Sequence, residues 1–439
     1  MLENSQTHFE KACENTAFQS LHVRTQDFLR DKATAYRLSF SQIQQLIVIA
    51  VDLQMWGEDI EAFWIDKESK KEAFATVQKT YETLKSTLKI YPAIENFCLA
   101  EASFSDQAAS VGARALPEQR DKNTLQKEMF KIEEVAKEHL GLGSCPVASP
   151  KTRCCNLMTL DAVESCGFDC SYCSIQSFYK NNTVTFDKNF AQKLERLELD
   201  PAKTYHIGTG QSSDSLMWGN RSGVLEALFN FARKNPNVIL ELKSKSDNIA
   251  YLLENDVPKN VICTWSLNPQ VIIDNEEKRA SSLEARIQSA RALADKGVLV
   301  GFHFHPIVLF EGWQEAYTSI AHKLTHTFTC KEIALVSMGT LTFIKPVLKK
   351  IRLRAQNSKI LQMPLTDASG KYSYPLSTKE EMFSTLYHAF KPWHGSVFFY
   401  LCMEDVRLWQ KVFGYEFENN EKFEEAMLKA YSAKIKASI

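Results

Sequence analysis

Three cysteines within eight residues, Cys166-Gly-Phe-Asp-Cys170-Ser-Tyr-Cys173, restrict this chain more than any other stretch. The C-x3-C-x2-C spacing wraps a short loop around one corner of an iron–sulfur cube, with each thiolate on a different iron and the fourth iron left open. Two other readings stay open at this level. Zinc takes four ligands, often from C-x2-C pairs, and the neighbouring Cys154 and Cys155 offer a fourth. Cysteines are also common core residues.

What surrounds the loop is a β–α alternation. Asn156–Glu164 reads as a strand leading into the cysteines, and further strands are expected over 204–208, 237–243, 261–267, 298–304, 332–337 and 396–402. Helical patterns lie between them, as over Ser222–Lys234 and Ser282–Lys296, the latter stopped by Gly297. Such alternation builds a parallel sheet or barrel, whose functional groups gather at the C-terminal strand ends. A polar cluster follows each of four expected strands: Gly208–Asp214, Lys243–Asp247, Ser266-Leu-Asn268-Pro269 and His303-Phe-His305-Pro306. In the first, the hydroxyls and Asp214 are candidates to bind a polar group. His303 and His305, two apart on a strand, face the same way. With no acidic or histidine partner nearby in sequence, they are expected to be polar residues lining the barrel.

Residues 1–135 read as an α-helical N-terminal domain. Phe40, Ile43, Ile47, Ala50 and Leu53, flanked by Leu46, form a buried helical stripe. Further helices are expected near 68–90 and 122–139, with Trp56, Trp64 and Cys98 in the core. A Gly- and Pro-punctuated linker covers 136–155, the barrel 156–415 and a C-terminal helix 416–439. A net charge of −1 excludes a global basic field for nucleic acid. The polar start and the lack of a long apolar run point to a cytoplasmic protein without a membrane anchor, whose 11 cysteines serve metals or the core rather than disulfides.

Several segments together resemble the spore photoproduct lyase family of radical S-adenosylmethionine (SAM) proteins. They are the cysteine loop, Ser266-Leu-Asn-Pro, Ser282-Leu-Glu-Ala-Arg-Ile-Gln-Ser-Ala, Lys296-Gly-Val-Leu-Val-Gly-Phe, His305-Pro-Ile, Tyr400-Leu-Cys-Met-Glu, Trp409 and Val412-Phe-Gly. They run in family order from about 140 to 415. The resemblance implies a partial (β/α)6 radical SAM barrel behind the helical N-terminal domain, hence an α/β fold. It implies a [4Fe-4S] cluster on Cys166, Cys170 and Cys173, whose open iron chelates SAM and splits it reductively to a 5′-deoxyadenosyl radical. It also implies repair of a thymine dimer-type lesion in DNA, with electrons from a flavodoxin- or ferredoxin-type donor.

Carried over residue by residue, Ser213, Lys245 and Ser266 match SAM-contacting positions. Asn268 and His305 join the same cofactor-binding set, and Tyr172 matches a tyrosine near the active site. The family's hydrogen-atom-donating cysteine is replaced by Gln211, with Cys263 the nearest substitute in sequence. Ser174 stands where the family has tyrosine, and His305 where it has a small residue. Two segments suit damaged DNA as partner: the basic run Lys349-Lys350-Ile-Arg352-Leu-Arg354 and the hairpin Asp367–Tyr374 with its aromatic residues. A radical SAM enzyme with an unrelated substrate, and a non-catalytic DNA-binding or zinc-structured protein, are the alternatives.

Overall fold

The computed structural model describes residues 2–13, 16, 18–55, 60–64, 75, 77–79, 131–145, 151–178, 183–352, 358–363, 365–368 and 371–437. These divide between two compact units, one drawn from Met1–Arg114, Leu309–Glu311 and Phe343–Tyr372, the other from Ala115–Val308, Gly312–Thr342 and Ser373–Ile439.

The second unit is built on one sheet. Its strands are β1 (Leu142–Ser144), β2 (Met158–Leu160), β3 (Tyr205–Thr209), β4 (Val238–Ser244), β5 (Val261–Ser266), β6 (Leu299–Ile307), β7 (Ile333–Thr340) and β8 (Phe398–Leu401). Spatial order follows chain order from β1 to β8, and every pairing is parallel except β1 with β2. Parallel neighbours need a crossover each, and helices such as Val224–Lys234, Leu283–Asp295 and Trp313–Thr327 supply them. The result is an α/β half-barrel, curled and open between β1 and β8, as the alternation predicts.

The alternation of side chains across the sheet sets up the site. On β4, Leu240 and Leu242 are fully buried on one face, while Glu241 and Lys243 point into the lumen with Thr264, His303 and Ser337. Helix Leu283–Asp295 starts where Ser282 Oγ accepts from the Ala285 N–H at 3.2 Å, and it stops at Gly297, whose φ of +82° is left-handed. Helix Asn420–Ala437 packs on β7 and β8.

Two expectations change here. The strand over Asn156–Glu164 is broken at Asp161, with β2 before it and Val163–Glu164 joining a separate small sheet. Residues 131–135 form a strand paired in parallel with Thr183–Asp187, not part of a helix over 122–139. Parallel pairing along the whole of Thr183–Asp187 outweighs the local helical preference of Lys131-Ile-Glu-Glu-Val.

In the first unit, helices Leu2–Cys13, Val23–Ala35 and Phe40–Met55 bury one core. Ile43, Leu46, Ile47, Ala50 and Leu53 are all buried as the stripe predicts. Phe40 is not: at 43% exposure it opens the helix outside the core. Trp64 is buried. Trp56, Cys98, residues 122–130 and most of 68–90 lie outside the described residues.

Candidate active site

The three-cysteine loop follows Val163–Glu164 and lies on the half-barrel unit. Its backbone is irregular: Ser165 and Asp169 sit at φ of +74° and +49°. A turn from the Cys173 N–H to the Cys170 carbonyl, 3.1 Å, brings the last two cysteines round, and Gln176 Nε2 donates to the same carbonyl at 3.1 Å. Burial pushes the Cys166 thiol up to about 12 and raises Cys170 well above its ordinary value, with Lys245 acting against the rise at Cys170. Such thiols ionise only when something positively charged binds them.

The donor set fits a cluster better than a single ion. Among the described residues, no group of three or more His, Cys, Asp or Glu converges on one ion-sized point. A four-iron cluster asks for no such convergence, because each thiolate takes its own iron. Cys154 and Cys155 are both buried, and interaction with the Cys154 thiol, burial and the nearby Cys402 raise the Cys155 thiol well above its ordinary value.

A buried polar network that the sequence did not reveal lies under the loop. The Ser171 N–H donates to the Glu276 carbonyl at 2.8 Å, and Ser171 Oγ donates to the Glu276 carboxylate. Tyr172 donates its hydroxyl to Glu277 Oε1, which also accepts from Asn268 Nδ2 at 2.9 Å. Glu277 Oε2 pairs with Arg286 Nη2 at 2.5 Å, both side chains fully buried. Arg286 in turn donates to the carbonyls of Ser266 and Ser281, each at 2.8 Å. Burial opposes the Glu277 charge, but Arg286, Lys245 and the hydrogen bonds from Tyr172 and Asn268 overcome it and hold the carboxyl down at about 2. Arg286 lies inside a motif matched for its order alone; Glu276 and Glu277 carry no local signal.

The expected site residues gather around this floor with mixed roles. Lys245 Nζ stands 6.0 Å from the centre of the Tyr172 ring. Ser213 is buried, and its Oγ accepts from Trp218 Nε1 at 3.1 Å. Ser266 is buried at the end of β5. Asn268 is fully enclosed, its amide spent on Glu277 and on the Tyr317 hydroxyl at 2.7 Å. Asp214 is a scaffold residue rather than a ligand group. Its Oδ1 accepts from Ser244 Oγ and the N–H groups of Leu216 and Met217, and its Oδ2 from the Lys245 N–H at 2.7 Å. It ties the turn after β3 to the end of β4. Gly210 closes that turn at φ +87°, where a Cβ would lie 2.7 Å from the Lys243 carbonyl.

Three corrections concern the lumen. His303 does have an acidic partner: Glu241, two strands away, accepts from His303 Nε2 at 2.6 Å and from His206 Nε2 at 2.8 Å. Sheet order, not sequence proximity, creates this contact. Cys263 alternates with Thr264, which points to Glu241, so Cys263 faces the helices and is fully buried. The thiol beside Gln211 is instead Cys145, with Sγ 3.6 Å from Gln211 Nε2. No motif marked Cys145; it follows the edge strand β1.

For nucleic-acid contact, Lys349 and Lys350 are exposed on helix Lys345–Arg352, whose Val347, Leu348 and Ile351 are buried. Arg352 donates to the Leu361 carbonyl at 2.6 Å, and Arg354 lies outside the described residues. Strands Thr366–Ala368 and Lys371–Ser373 form the expected hairpin. Tyr374 is fully buried and therefore not a stacking surface, while Tyr372 lies under Lys345 Nζ at 5.2 Å. Among the described residues no helix is long and apolar enough to cross a membrane.

Comparison with known proteins agrees with this geometry. Residues 157–383 match the spore photoproduct lyase family. Spore photoproduct lyase of Clostridium acetobutylicum is 25% identical over 222 residues, 49% of this chain and 64% of that protein. The Geobacillus enzyme is 24% identical over 221 residues, 48% of this chain and 62% of that protein. The matched stretch thus spans less than two thirds of either relative. Among solved structures, spore photoproduct lyase complexed with dinucleoside spore photoproduct has a similar fold, with a TM-score of 0.51 at 17% identity over 66% of this chain and 88% of that one. A variant of spore photoproduct lyase with bound AdoMet and dinucleoside spore photoproduct gives a TM-score of 0.52 with the same coverage.

Proposed function

The chain belongs to the spore photoproduct lyase family, and from that premise we propose that it is a radical SAM enzyme of lyase type acting in the repair of a thymine-derived photolesion in DNA. The observation that carries the reading is the cysteine loop at the half-barrel, with Lys245 and Ser213 at the neighbouring strand-end turns. Cys166, Cys170 and Cys173 would hold a [4Fe-4S] cluster, which with SAM supplies a 5′-deoxyadenosyl radical.

The chain's own residues do the rest. Lys245 offers a cation to the SAM carboxylate, and Ser213 and Ser266 offer hydroxyls. Asn268 serves the cofactor side indirectly, by holding Glu277. Through Tyr172, Glu277 and Arg286 keep the cysteine loop in one shape. At the lesion side, Gln211 cannot readily donate a hydrogen atom, but Cys145 brings a thiol to its side. The partner is damaged DNA; the exposed Lys349 and Lys350, taken by themselves, suit contact with phosphates. The electron source is a flavodoxin- or ferredoxin-type protein, and the compartment is the reducing cytoplasm.

The test is incubation of the anaerobically reconstituted protein with SAM, dithionite and an oligonucleotide carrying the spore photoproduct. Restoration of two intact thymine residues in the oligonucleotide supports the reading. An intact lesion alongside 5′-deoxyadenosine formation would leave the radical SAM assignment standing and remove the lesion.

A further inference from the structure

Inside the half-barrel, a hydrogen-bonded chain runs from Glu241 to the open end of β6. Glu241 Oε1 is met by Thr264 Oγ1 at 2.8 Å and His303 Nε2 at 2.6 Å, and Oε2 by His206 Nε2 at 2.8 Å. His303 Nδ1 lies 2.5 Å from Ser337 Oγ, and Ser337 Oγ lies 3.1 Å from His305 Nε2. Glu241, His206 and His303 are almost wholly enclosed.

The proton positions follow from counting donors. A carboxylate only accepts, so His303 carries its proton on Nε2 and directs it at Glu241. Burial opposes the Glu241 charge, but His303 and His206 hold the carboxyl well below the usual range. Burial and Lys243 push His303 down to about 4, so the ring is neutral at pH 7 and its Nδ1 is bare. A bare nitrogen only accepts, so the single Ser337 hydroxyl hydrogen goes to it. Ser337 Oγ can then only accept from His305, which must carry its proton on Nε2.

The surroundings hold the His305 ring in place. A Cβ on Gly339 would lie 3.3 Å from both Cδ2 and Nε2 of His305, a tight contact, so glycine there gives that edge of the ring its room. The groups facing His305 are Lys243, Lys245, His303 and Glu241, with burial and the two lysines opposing a charge on it. His305 is half-buried, and among the described residues its only hydrogen bond is the one at Nε2.

We infer that Glu241, His303 and Ser337 are positioning residues that fix His305 with its proton on Nε2, leaving Nδ1 as an acceptor for an N–H or O–H donor on the bound ligand. The inference rests on the proposed function for the ligand: the donor is either a group of SAM or the imide N–H of a thymine ring. It adds a directional reader to a position that the sequence placed in the cofactor-binding set and marked as a departure from the family.

The test is nitrogen-15 NMR of histidine-labelled, anaerobically purified protein, with the His305 signals identified by their loss in His305→Gln. The expected spectrum shows a protonated Nε2 and a bare Nδ1, with at least a tenfold preference over the other tautomer. Ser337→Ala should collapse that preference to a few-fold mixture, and Ser337→Thr should restore it. Adding SAM alone, or thymidylyl-thymidine alone, should displace the Nδ1 resonance in one arm and so identify the donor; a dinucleotide methylated at both imide nitrogens should fail where the parent dinucleotide succeeds. A proton found on His305 Nδ1, an unchanged ratio in Ser337→Ala, or no displacement in either arm would overturn the inference. None of these readings needs turnover. Failure to cleave SAM would count against the proposed function, whereas the tautomer result speaks only to His305.

Discussion

Replacing Glu277 by Gln tests whether the buried network under the cysteine loop is structural support for it. The substitution keeps the shape and removes the charge. Arg286, with no exposed side-chain surface, is left without its counter-ion, and the new amide presents a donor toward groups that already donate. Stripping one partner from a buried pair typically costs about 3–5 kcal/mol. The titration of Glu277 gives an independent figure. A carboxyl lowered from 4.5 to about 2 contributes about 3 kcal/mol of stability, at about 1.4 kcal/mol per unit. The sign is that of a depressed acid: the contribution is complete above pH 4.5 and is lost as pH falls toward 2. With a urea slope of about 2–3 kcal/mol/M, Glu277→Gln should lower the unfolding midpoint of the half-barrel by roughly 1–2 M at pH 7. The deficit should shrink between pH 4.5 and 2, as the parent loses the same contribution. Because Tyr172 lies between two of the cysteines, reconstituted iron content should fall as well. A midpoint within about 0.3 M of the parent, with full iron, would refute the argument.

Three further outcomes are expected. Lys245→Ala should weaken SAM binding about 10- to 150-fold, as a charge-assisted hydrogen bond of about 1.5–3 kcal/mol is lost; equilibrium binding that is unchanged would remove Lys245 from the site. On the spore lesion in heavy water, solvent deuterium should enter the product through the exchangeable Cys145 thiol; Cys145→Ala should give slow, leaky turnover and Gln211→Cys should restore clean release, whereas fast, clean repair by Cys145→Ala would discard Cys145. Gly210→Ala, forced against the Lys243 carbonyl in a left-handed turn, should destabilise the half-barrel by about 1–3 kcal/mol in the same urea assay; an unchanged midpoint would show that the turn relaxes freely.

The β–α alternation was legible because long apolar strands and strongly periodic helices are read from local sequence. All six strands expected after the cysteine loop are present within a few residues. The cysteine loop and the polar turns at strand ends were legible for the same reason. The lumen was not. The Glu241–His303 contact spans 62 positions and exists only because β4, β5 and β6 lie side by side. Likewise Arg286 meets Glu277 because a helix start folds back under the loop, and Cys145 meets Gln211 because an edge strand returns to β2. Single polar residues on separate elements carry no periodic signal. The exposure of Phe40 and the burial of Tyr374 show the converse limit: a residue at the end of an element follows its neighbours rather than its pattern.

The central claim is reductive cleavage of SAM on the three-cysteine loop, and it is tested most directly by measuring 5′-deoxyadenosine. The protein is reconstituted anaerobically with iron and sulfide, then mixed with SAM and dithionite, alongside Cys170→Ala. The expected result is a brown protein with about four irons per chain that forms 5′-deoxyadenosine, and a Cys170→Ala protein that forms none. A colourless, zinc-loaded protein, or an iron-loaded one that leaves SAM intact, would contradict it.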